Sequence, residues 1–297
     1  MGLLKRIIVG HDLRCTGEIA LQSAVELARP CGAAVKIIHV IEPHPFHKLV
    51  HPFDLSREPE QFAQQAGDAL ESRVAKLTDS GIEAHCEISA GKPFVELIVA
   101  RRAWHADLLV VGGPSKSPNY SLGRTRQRVI RKSQVPVLIA PKPLKHLTKR
   151  ILAPTDFSAG ALTAAREALT LAEQLGARVS FLHVLDPYSL LTYADSDDLA
   201  GTAPLLSPQD VEPDWSNFLS KLNLAKVVWE RLTIEGLTAQ TIVEQAESSK
   251  IDLIVLGTHG RSAFEYMLVG SVTEKVTEIS PCPVLTVRPD ARPFCLS

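Results

Sequence analysis

Cysteine is scarce in this sequence, and its few residues stand apart from one another. Cys15, Cys31, Cys86, Cys282 and Cys295 form no CxxC pair, and five thiols are too few for a disulfide framework, which favours a reducing cytoplasm. Long apolar runs are missing too, since none approaches the ~18 residues that a membrane-spanning helix needs. The opening residues, MGLLKRIIVGHD, lack the pattern of a signal peptide or an anchor. We therefore expect a soluble, cytoplasmic protein with no membrane partner.

An excess of charge of either sign is also missing. The chain has 32 Lys and Arg residues against 33 Asp and Glu, a formal net charge of −1, so no global field would recruit nucleic acid. The catalytic signatures GxSxG and HExxH are absent, which argues against an enzyme or, at most, for a slow one. What the chain does have is 297 residues, 45% of them hydrophobic, enough for two soluble globular domains.

Four segments of the first half recur in the second half in the same order. The matching pairs are 5–28 with 149–172, 35–43 with 179–187, 106–113 with 251–258, and 135–143 with 282–290. Such a repeat predicts two copies of one domain. We place the copies at residues 1–143 and 149–290, with a join where prolines and lysines interrupt the apolar pattern.

Each copy alternates short apolar runs with helical patterns. In the second copy the runs are ILA, VSFLHV, a weaker one around residues 227–234, DLIVL and PVLTV. Runs rich in Ile, Val and Leu are typical of strands buried on both faces of a parallel sheet. The α/β pattern therefore predicts two tandem doubly wound, parallel, five-stranded sheets flanked by helices, with ligands at the carboxyl ends of the strands.

The stretch GTHGRSAFEYMLVGS follows the fourth strand of the second copy and repeats glycine at a fixed spacing. Gly257-x2-Gly260-x9-Gly270 is followed by Ser271 and by a helical pattern. Glycine allows the backbone to approach a ligand closely, and the unpaired N–H groups at a helix start suit phosphate. The hydroxyls of Ser271 and Thr273 can add donors. The alternative is a turn at Gly260 and an N-cap at Ser271; the linked spacing favours a phosphate site.

The segments ILAPTDFS, LHVLDP, DLIVLGTHGRS, VGSVTEKV and CPVLTV succeed one another along the second copy. Together with the glycine spacing they resemble the nucleotide-binding branch of the universal stress protein family, and the first copy extends the resemblance over essentially the whole chain as a tandem pair. The resemblance implies an adenine nucleotide alpha hydrolase-like fold, domains related by a pseudo-two-fold axis, and ATP bound at the carboxyl edge of the sheet.

The resemblance also assigns roles to residues of the second copy. The adenine and ribose end would be lined by Pro154, Thr155, Asp156 and Val184, and the ribose and phosphates would be held by Gly257, Gly260, Gly270, Ser271 and Val272. His259 and Arg261 lie inside the loop. Arg261 can meet phosphate charge or be solvated, and His259 has no partner at a catalytic spacing, so we do not expect it to act as a base.

The equivalent loop of the first copy departs from this pattern. Gly112 and Gly123 are 11 positions apart, two fewer than in the second copy, and Arg124 stands where the second copy has Ser271. Gly113 is a candidate shifted counterpart of Gly260. The helix RTRQRVIRKS that follows is interpreted as a solvated face, with a different anion site or an acidic partner surface as alternatives. We expect this copy to bind ATP weakly or not at all.

Two further features bear on ligands and assembly. His44, His47 and His51 lie close together, but Pro45 and Pro52 argue against one regular helix, so a metal site there is not favoured. The last strands, PVLIA and PVLTV, begin with proline, which suits a sheet edge. In the family this edge pairs between subunits, so the tandem chain is expected to form an internal pseudo-dimer, with a homodimer left open.

Three functions stay open at this point. The first is a regulatory protein of the stress response in which ATP, with Mg²⁺ or Mn²⁺ bound through its phosphates, shifts the population of loop conformations. The second is a slow ATPase. The third is a protein-interaction module with incidental nucleotide, in which the arginine-rich helix or the irregular segment 186–213 contacts an unknown protein partner.

Overall fold

The computed structural model describes six stretches of the chain, and its residues divide into two compact units. The described residues are 4–42, 59–114, 122–145, 148–187, 207–260 and 269–290. The units are Met1–Pro143 and Leu144–Cys295. His44, His47, His51, Arg261 and residues 188–206 of the predicted irregular segment lie outside the described residues.

The N-terminal unit alternates strands and helices. Its elements are β1 (Arg6–Gly10), α1 (Cys15–Cys31), β2 (Ala34–Ile41), α2 (Pro59–Asp79), β3 (Ala84–Ala90), α3 (Pro93–Trp104), β4 (Leu108–Gly112), α4 (Leu122–Lys132) and β5 (Val137–Ala140). The strands pair in parallel in the order β3-β2-β1-β4-β5. Strand order reverses between β1 and β4, which makes their carboxyl ends the expected place for a ligand.

The C-terminal unit repeats this order. Its elements are β6 (Arg150–Pro154), α5 (Ala159–Leu175), β7 (Arg178–Leu185), α6 (Glu212–Leu219), β8 (Trp229–Glu235), α7 (Thr238–Ser248), β9 (Leu253–Gly257), α8 (Ser271–Ile279) and β10 (Val284–Val287). The parallel order is β8-β7-β6-β9-β10. The predicted doubly wound sheets of five parallel strands are confirmed, and the switch point here lies between β6 and β9.

Burial explains which strands gave a strong sequence signal. In β1 the consecutive residues Ile7, Ile8 and Val9 are all fully buried, as expected for central parallel strands covered by helices on both faces. Strand β8 is different: it follows the pattern of three exposed, three half-buried and one exposed residue. Because β8 buries only part of its surface, its apolar signal in the sequence is weak.

In each unit, the helix after the first strand ends at a glycine. Gly32 and Gly176 take left-handed φ values of 63° and 61° and end α1 and α5, a conformation that glycine adopts without a Cβ clash. Within the described stretches, no helix combines the length and the apolar character needed to cross a bilayer.

Candidate functional site

The predicted nucleotide residues of the C-terminal unit lie on or next to four elements, β6, β7, β9 and α8. Strands β6 and β9 pair directly, with Leu152 opposite Ile254, so their carboxyl ends meet at the same edge of the sheet. The start of α8 is tied to this edge because the Gly270 N–H donates to the Thr258 carbonyl at 2.8 Å. The fold therefore places the loops after β6 and β9 beside the N-terminus of α8.

Asp156 and Gly260 are in direct contact across these loops. A Cβ built on Gly260 would lie 2.6 Å from Asp156 Oδ2, closer than real Cβ contacts. The other carboxylate oxygen, Oδ1, accepts the Ser158 N–H at 3.0 Å. The side chain of Asp156 is thus held in its own loop, and the glycine lets the loop after β9 close against it.

Ser158 caps the N-terminus of α5. Its hydroxyl accepts the Ala161 N–H at 3.2 Å, so Ser158 is the N-cap residue of this helix. The N-terminal unit does this differently. There Asp12 Oδ1 accepts the Gly17 N–H at 2.8 Å and the Arg14 N–H at 3.0 Å. Asp12 therefore binds the first turn of its own helix, α1, whereas in the C-terminal unit Ser158 caps α5.

Thr155 links β6 to β7 and is buried. Its N–H donates to the Leu182 carbonyl at 2.8 Å, and its own carbonyl accepts from His183 Nδ1 at 2.8 Å. His183 is therefore a satisfied structural histidine. Val184, expected at the adenine end, contributes its side chain to the hydrophobic core, so a ligand would meet the edge of β7 there. Pro154 ends β6 and is half-buried.

Phe157 is a residue of this site that the sequence did not single out. It has a left-handed φ of 64°, which is uncommon for a residue with a large side chain. Its ring packs against Trp215 and Phe218, with centroid separations of 5.0 and 5.8 Å. This aromatic packing holds the strained turn that presents Asp156. An aromatic residue directly after the aspartate was the only available sequence signal.

Gly257 has a packing role that both units share. A Cβ on Gly257 would lie 2.8 Å from the Gly160 carbonyl carbon, and a Cβ on Gly112 would lie 2.8 Å from the Thr16 carbonyl oxygen. In each unit the strand end therefore needs glycine because a helix backbone crosses it closely. This glycine by itself does not indicate phosphate binding.

The expected correspondence of Gly113 with Gly260 is wrong. The Gly113 N–H donates to the Ala140 carbonyl at 2.8 Å, just as the Thr258 N–H donates to the Val287 carbonyl at 2.9 Å. Gly113 therefore stands at the place of Thr258. A Cβ on Gly113 would lie 2.3 Å from Pro141 Cα, so close packing against that proline explains the glycine.

The start of α8 presents unpaired N–H groups. Gly270 is the N-cap residue, with φ −59° and ψ 142°, and no side chain caps the helix. Ser271 is the first helical residue and is exposed, so the interpretation of Ser271 as an N-cap is wrong. Since the first hydrogen bond of the helix runs from the Glu274 N–H to the Gly270 carbonyl, the preceding amides have no partner within the helix.

The expectation that the Thr273 hydroxyl donates to a phosphate is wrong. The side chain is buried, with 3% exposure, and its Oγ1 donates to the Gly257 carbonyl at 2.7 Å. The proton of the Thr273 hydroxyl is therefore used in this hydrogen bond at the end of β9. Thr273 fixes the first turn of α8 to the sheet, while Val272 beside it is half-buried against the core.

His259 lies at the border of the site and is neutral at physiological pH. Burial lowers the pKa of its imidazole, and the nearby Arg288 lowers that pKa further against the opposing effect of Asp290. Its Nδ1 lies 2.8 Å from Thr258 Oγ1. Within the part of the chain that the structure describes, no group of three or more His, Cys, Asp or Glu side chains could hold a metal ion.

Comparisons with known proteins extend over both units. The model of the universal stress protein family matches residues 4–141 and again 148–288. A universal stress protein of Methanocaldococcus jannaschii is 35% identical over 153 residues, which is 48% of this chain and 84% of that protein. A universal stress protein of Mycolicibacterium smegmatis is 25% identical over 298 residues, 95% of this chain and 97% of that protein.

The fold has a solved counterpart of the same length. The crystal structure of a universal stress protein from Archaeoglobus fulgidus superimposes with a TM-score of 0.68 at 20% identity, covering 96% of this chain and 98% of that one. At this identity the likeness shows the shared fold.

Proposed function

The chain belongs to the universal stress protein family, and we propose that its C-terminal unit binds ATP as a regulatory ligand of the stress response. The observation that carries the proposal is Gly270. Its φ of −59° is ordinary for any residue, and a Cβ there would meet, among the described residues, only the Thr258 carbonyl oxygen, at 3.4 Å. Since the described fold has room for a side chain at this helix start, the glycine is best explained by the close approach of a ligand.

The phosphates would lie against the start of α8. The unpaired amides of Ser271, Val272 and Thr273 carry the positive end of the helix dipole, and the exposed Ser271 hydroxyl adds a donor. Mg²⁺ or Mn²⁺ would arrive with the phosphates, which together with water supply the oxygen ligands that such ions prefer.

The adenosine would lie between the ends of β6 and β7. The Asp156 carboxylate can accept from ribose hydroxyls, and Pro154, Thr155 and the edge of β7 at Val184 would face the base. Gly260 keeps the loop after β9 close to Asp156, so that the ribose and phosphate ends belong to one site. We further propose that the protein acts in the cytoplasm and that nucleotide binding alters its contact with a protein partner.

Nucleotide content and titration test this proposal. The full chain is purified without added nucleotide and extracted with acid, released nucleotide is identified by mass spectrometry, and ATP binding is measured by calorimetry. We expect ATP to bind at cellular, millimolar concentrations and the Gly270→Val plus Ser271→Ala variant to lose it. If the folded protein neither carries nor binds ATP, the proposal is wrong. Phosphate release from ATP tests the alternative of a slow ATPase.

A further inference from the structure

The N-terminal unit contains a cavity of about 260 Å³ at the carboxyl ends of β1, β2 and β4. Small-molecule sites commonly span about 300 to 1,000 Å³, so this cavity suits a compact ligand. Its lining includes the apolar residues Val40, Pro93, Leu97 and Val111. The lining also contains charged and polar side chains, and the sequence alone did not reveal that they meet at one cavity.

Arg126 brings a positive charge to this cavity. It lines the cavity from α4, and only 7% of it is exposed. Arg126 and Thr273 each stand three residues before the buried valine of their helix, Val129 and Val276 respectively. The position at which the C-terminal unit closes a hydroxyl onto Gly257 is therefore occupied in the N-terminal unit by a guanidinium.

A guanidinium at this depth selects for an anion. It stays charged at all physiological pH values and presents a planar fork that binds carboxylate or phosphate through two parallel hydrogen bonds. Arg14 adds a second cation at the exposed rim of the same cavity. Among the described residues that line it, the cavity thus combines apolar side chains with one buried guanidinium.

The acidic residues of the cavity do not cancel this preference. The Asp12 carboxylate accepts the Gly17 and Arg14 N–H groups and the Thr16 hydroxyl, so it is already held at the positive end of the α1 dipole. Glu42 lies at the exposed end of β2. Arg126 is therefore more buried than Asp12, Glu42 and Arg14, the other Asp, Glu and Arg side chains among the described lining residues.

We propose that this cavity is a second ligand site, for a compact organic molecule that carries one phosphate or carboxylate group, and that Arg126 anchors the anion. Arg126, the one buried guanidinium among the described lining residues, matches one anionic group. In the sequence, the glycine spacing expected of a triphosphate site is lost here, because the segment after β4 is two residues shorter than its counterpart. The two units of the chain thus hold sites of different chemistry at equivalent places in the fold.

The test uses the full chain with the C-terminal site disabled by Gly270→Val and Ser271→Ala. Calorimetric titration with AMP examines the phosphate group, and titration with benzoate examines the carboxylate group. We expect at least one of the two to bind once per chain, and ATP to bind about tenfold more weakly than the preferred probe. If neither AMP nor benzoate binds at about 1 mM, the proposal is overturned. It is also overturned if ATP binds as tightly as the preferred one of these two probes.

Substitution of Arg126 identifies the anchor. Arg126→Gln should weaken the preferred probe about tenfold or more, whereas Lys132→Gln, which removes the same charge from an exposed position of α4, should not. Equal affinity of Arg126→Gln and Lys132→Gln would contradict the proposal. Should Arg126→Gln fail to fold, the NMR resonance of the Arg126 Nε–H is followed while AMP or benzoate is titrated into the chain that keeps Arg126. If this resonance does not shift, the proposal is also contradicted. Loss of this site leaves ATP binding by the C-terminal unit of the unmodified chain unaffected, so the two proposals fail separately.

Discussion

Gly260 lies so close to Asp156 that the two residues fix the distance between the loops after β6 and β9. A Cβ on Gly260 would stand 2.6 Å from Asp156 Oδ2, and the carboxylate is also held by the Ser158 N–H. The carboxylate therefore cannot make room for a methyl group without leaving its loop. This contact connects the part of the site expected to hold ribose with the part expected to hold phosphate.

Gly260→Ala should lower the affinity for ATP about tenfold. The added methyl forces the Asp156 carboxylate aside, and overpacking at this exposed edge should cost about 1 kcal/mol of stability. Calorimetric titration with ATP and urea unfolding measure the two effects. Gly67→Ala is the matched control, because a Cβ there meets only Ile88 Cδ1 at 3.7 Å; it should leave ATP binding unchanged. Unchanged affinity in Gly260→Ala would show that the contact has no part in binding.

Gly257→Ala and Gly270→Ala should separate stability from binding. Since a Cβ on Gly257 would overlap Gly160, Gly257→Ala should destabilise the C-terminal unit by about 1 to 3 kcal/mol. Gly270→Ala meets no such obstacle among the described residues; since alanine is a poorer N-cap than glycine, it should cost about 0.5 to 1 kcal/mol while it reduces ATP affinity.

The equivalent change Gly112→Ala is a useful companion experiment. Its Cβ would meet Thr16 as that of Gly257 meets Gly160, so a comparable loss of stability in the N-terminal unit is expected by urea unfolding. If Gly270→Ala destabilises the protein as much as Gly257→Ala does, the argument that a ligand explains Gly270 fails.

The internal repeat made most of the fold predictable, because each strand could be recognised twice. The central strands stood out since both of their faces are buried, whereas β8 exposes four of its seven residues and gave a weak pattern. Contacts between distant segments were not predictable. The packing of Gly257 on Gly160 and the anchoring of Thr273 on the Gly257 carbonyl depend on the crossing of a helix and a strand, which spacing along the chain does not encode.

The cavity of the N-terminal unit was not predictable for the same reason, since it also depends on contacts between distant segments. The sequence showed a shortened loop and a cluster of arginines after it, and the exposed face of a helix was the simplest interpretation. The structure buries Arg126 while Arg128 stays exposed. Which arginine of the cluster turns inward depends on the rotation of α4 relative to the sheet, and that rotation is set by the packing of Val129 and Ile130.

Thr273→Val should loosen the start of α8. Valine has nearly the shape of threonine but leaves the buried Gly257 carbonyl without its 2.7 Å hydrogen bond, at a cost of about 1 to 3 kcal/mol. Thr273→Ser keeps the hydroxyl and should cost less. Urea unfolding compares the two variants, and calorimetry should show weaker ATP binding by Thr273→Val alone. Equal stability of the two variants would mean that the hydroxyl has no anchoring role.

His11 makes the N-terminal unit sensitive to acid. Its side chain is fully buried, and this burial lowers the pKa of the imidazole; Arg73 and His39 lower it as well, while Glu18 and Asp12 oppose them. The unfolded chain therefore binds a proton at a higher pH than the folded one. Stability is fully present above the unfolded pKa of about 6.5 and falls as the pH drops from there toward the folded pKa.

His11→Asn should reduce this loss of stability at acidic pH. The Asn side-chain oxygen can accept the Leu13 N–H, which His11 Nδ1 accepts at 2.9 Å, but an amide takes up no proton. We expect the free energy of unfolding of the variant to depend less on pH than that of the original chain between about pH 7 and 5, as measured by urea unfolding at several pH values. Because both proteins keep the other titrating groups, the difference between their curves reports His11 alone. Parallel curves would show that the protonation of His11 is the same in the folded and unfolded chain.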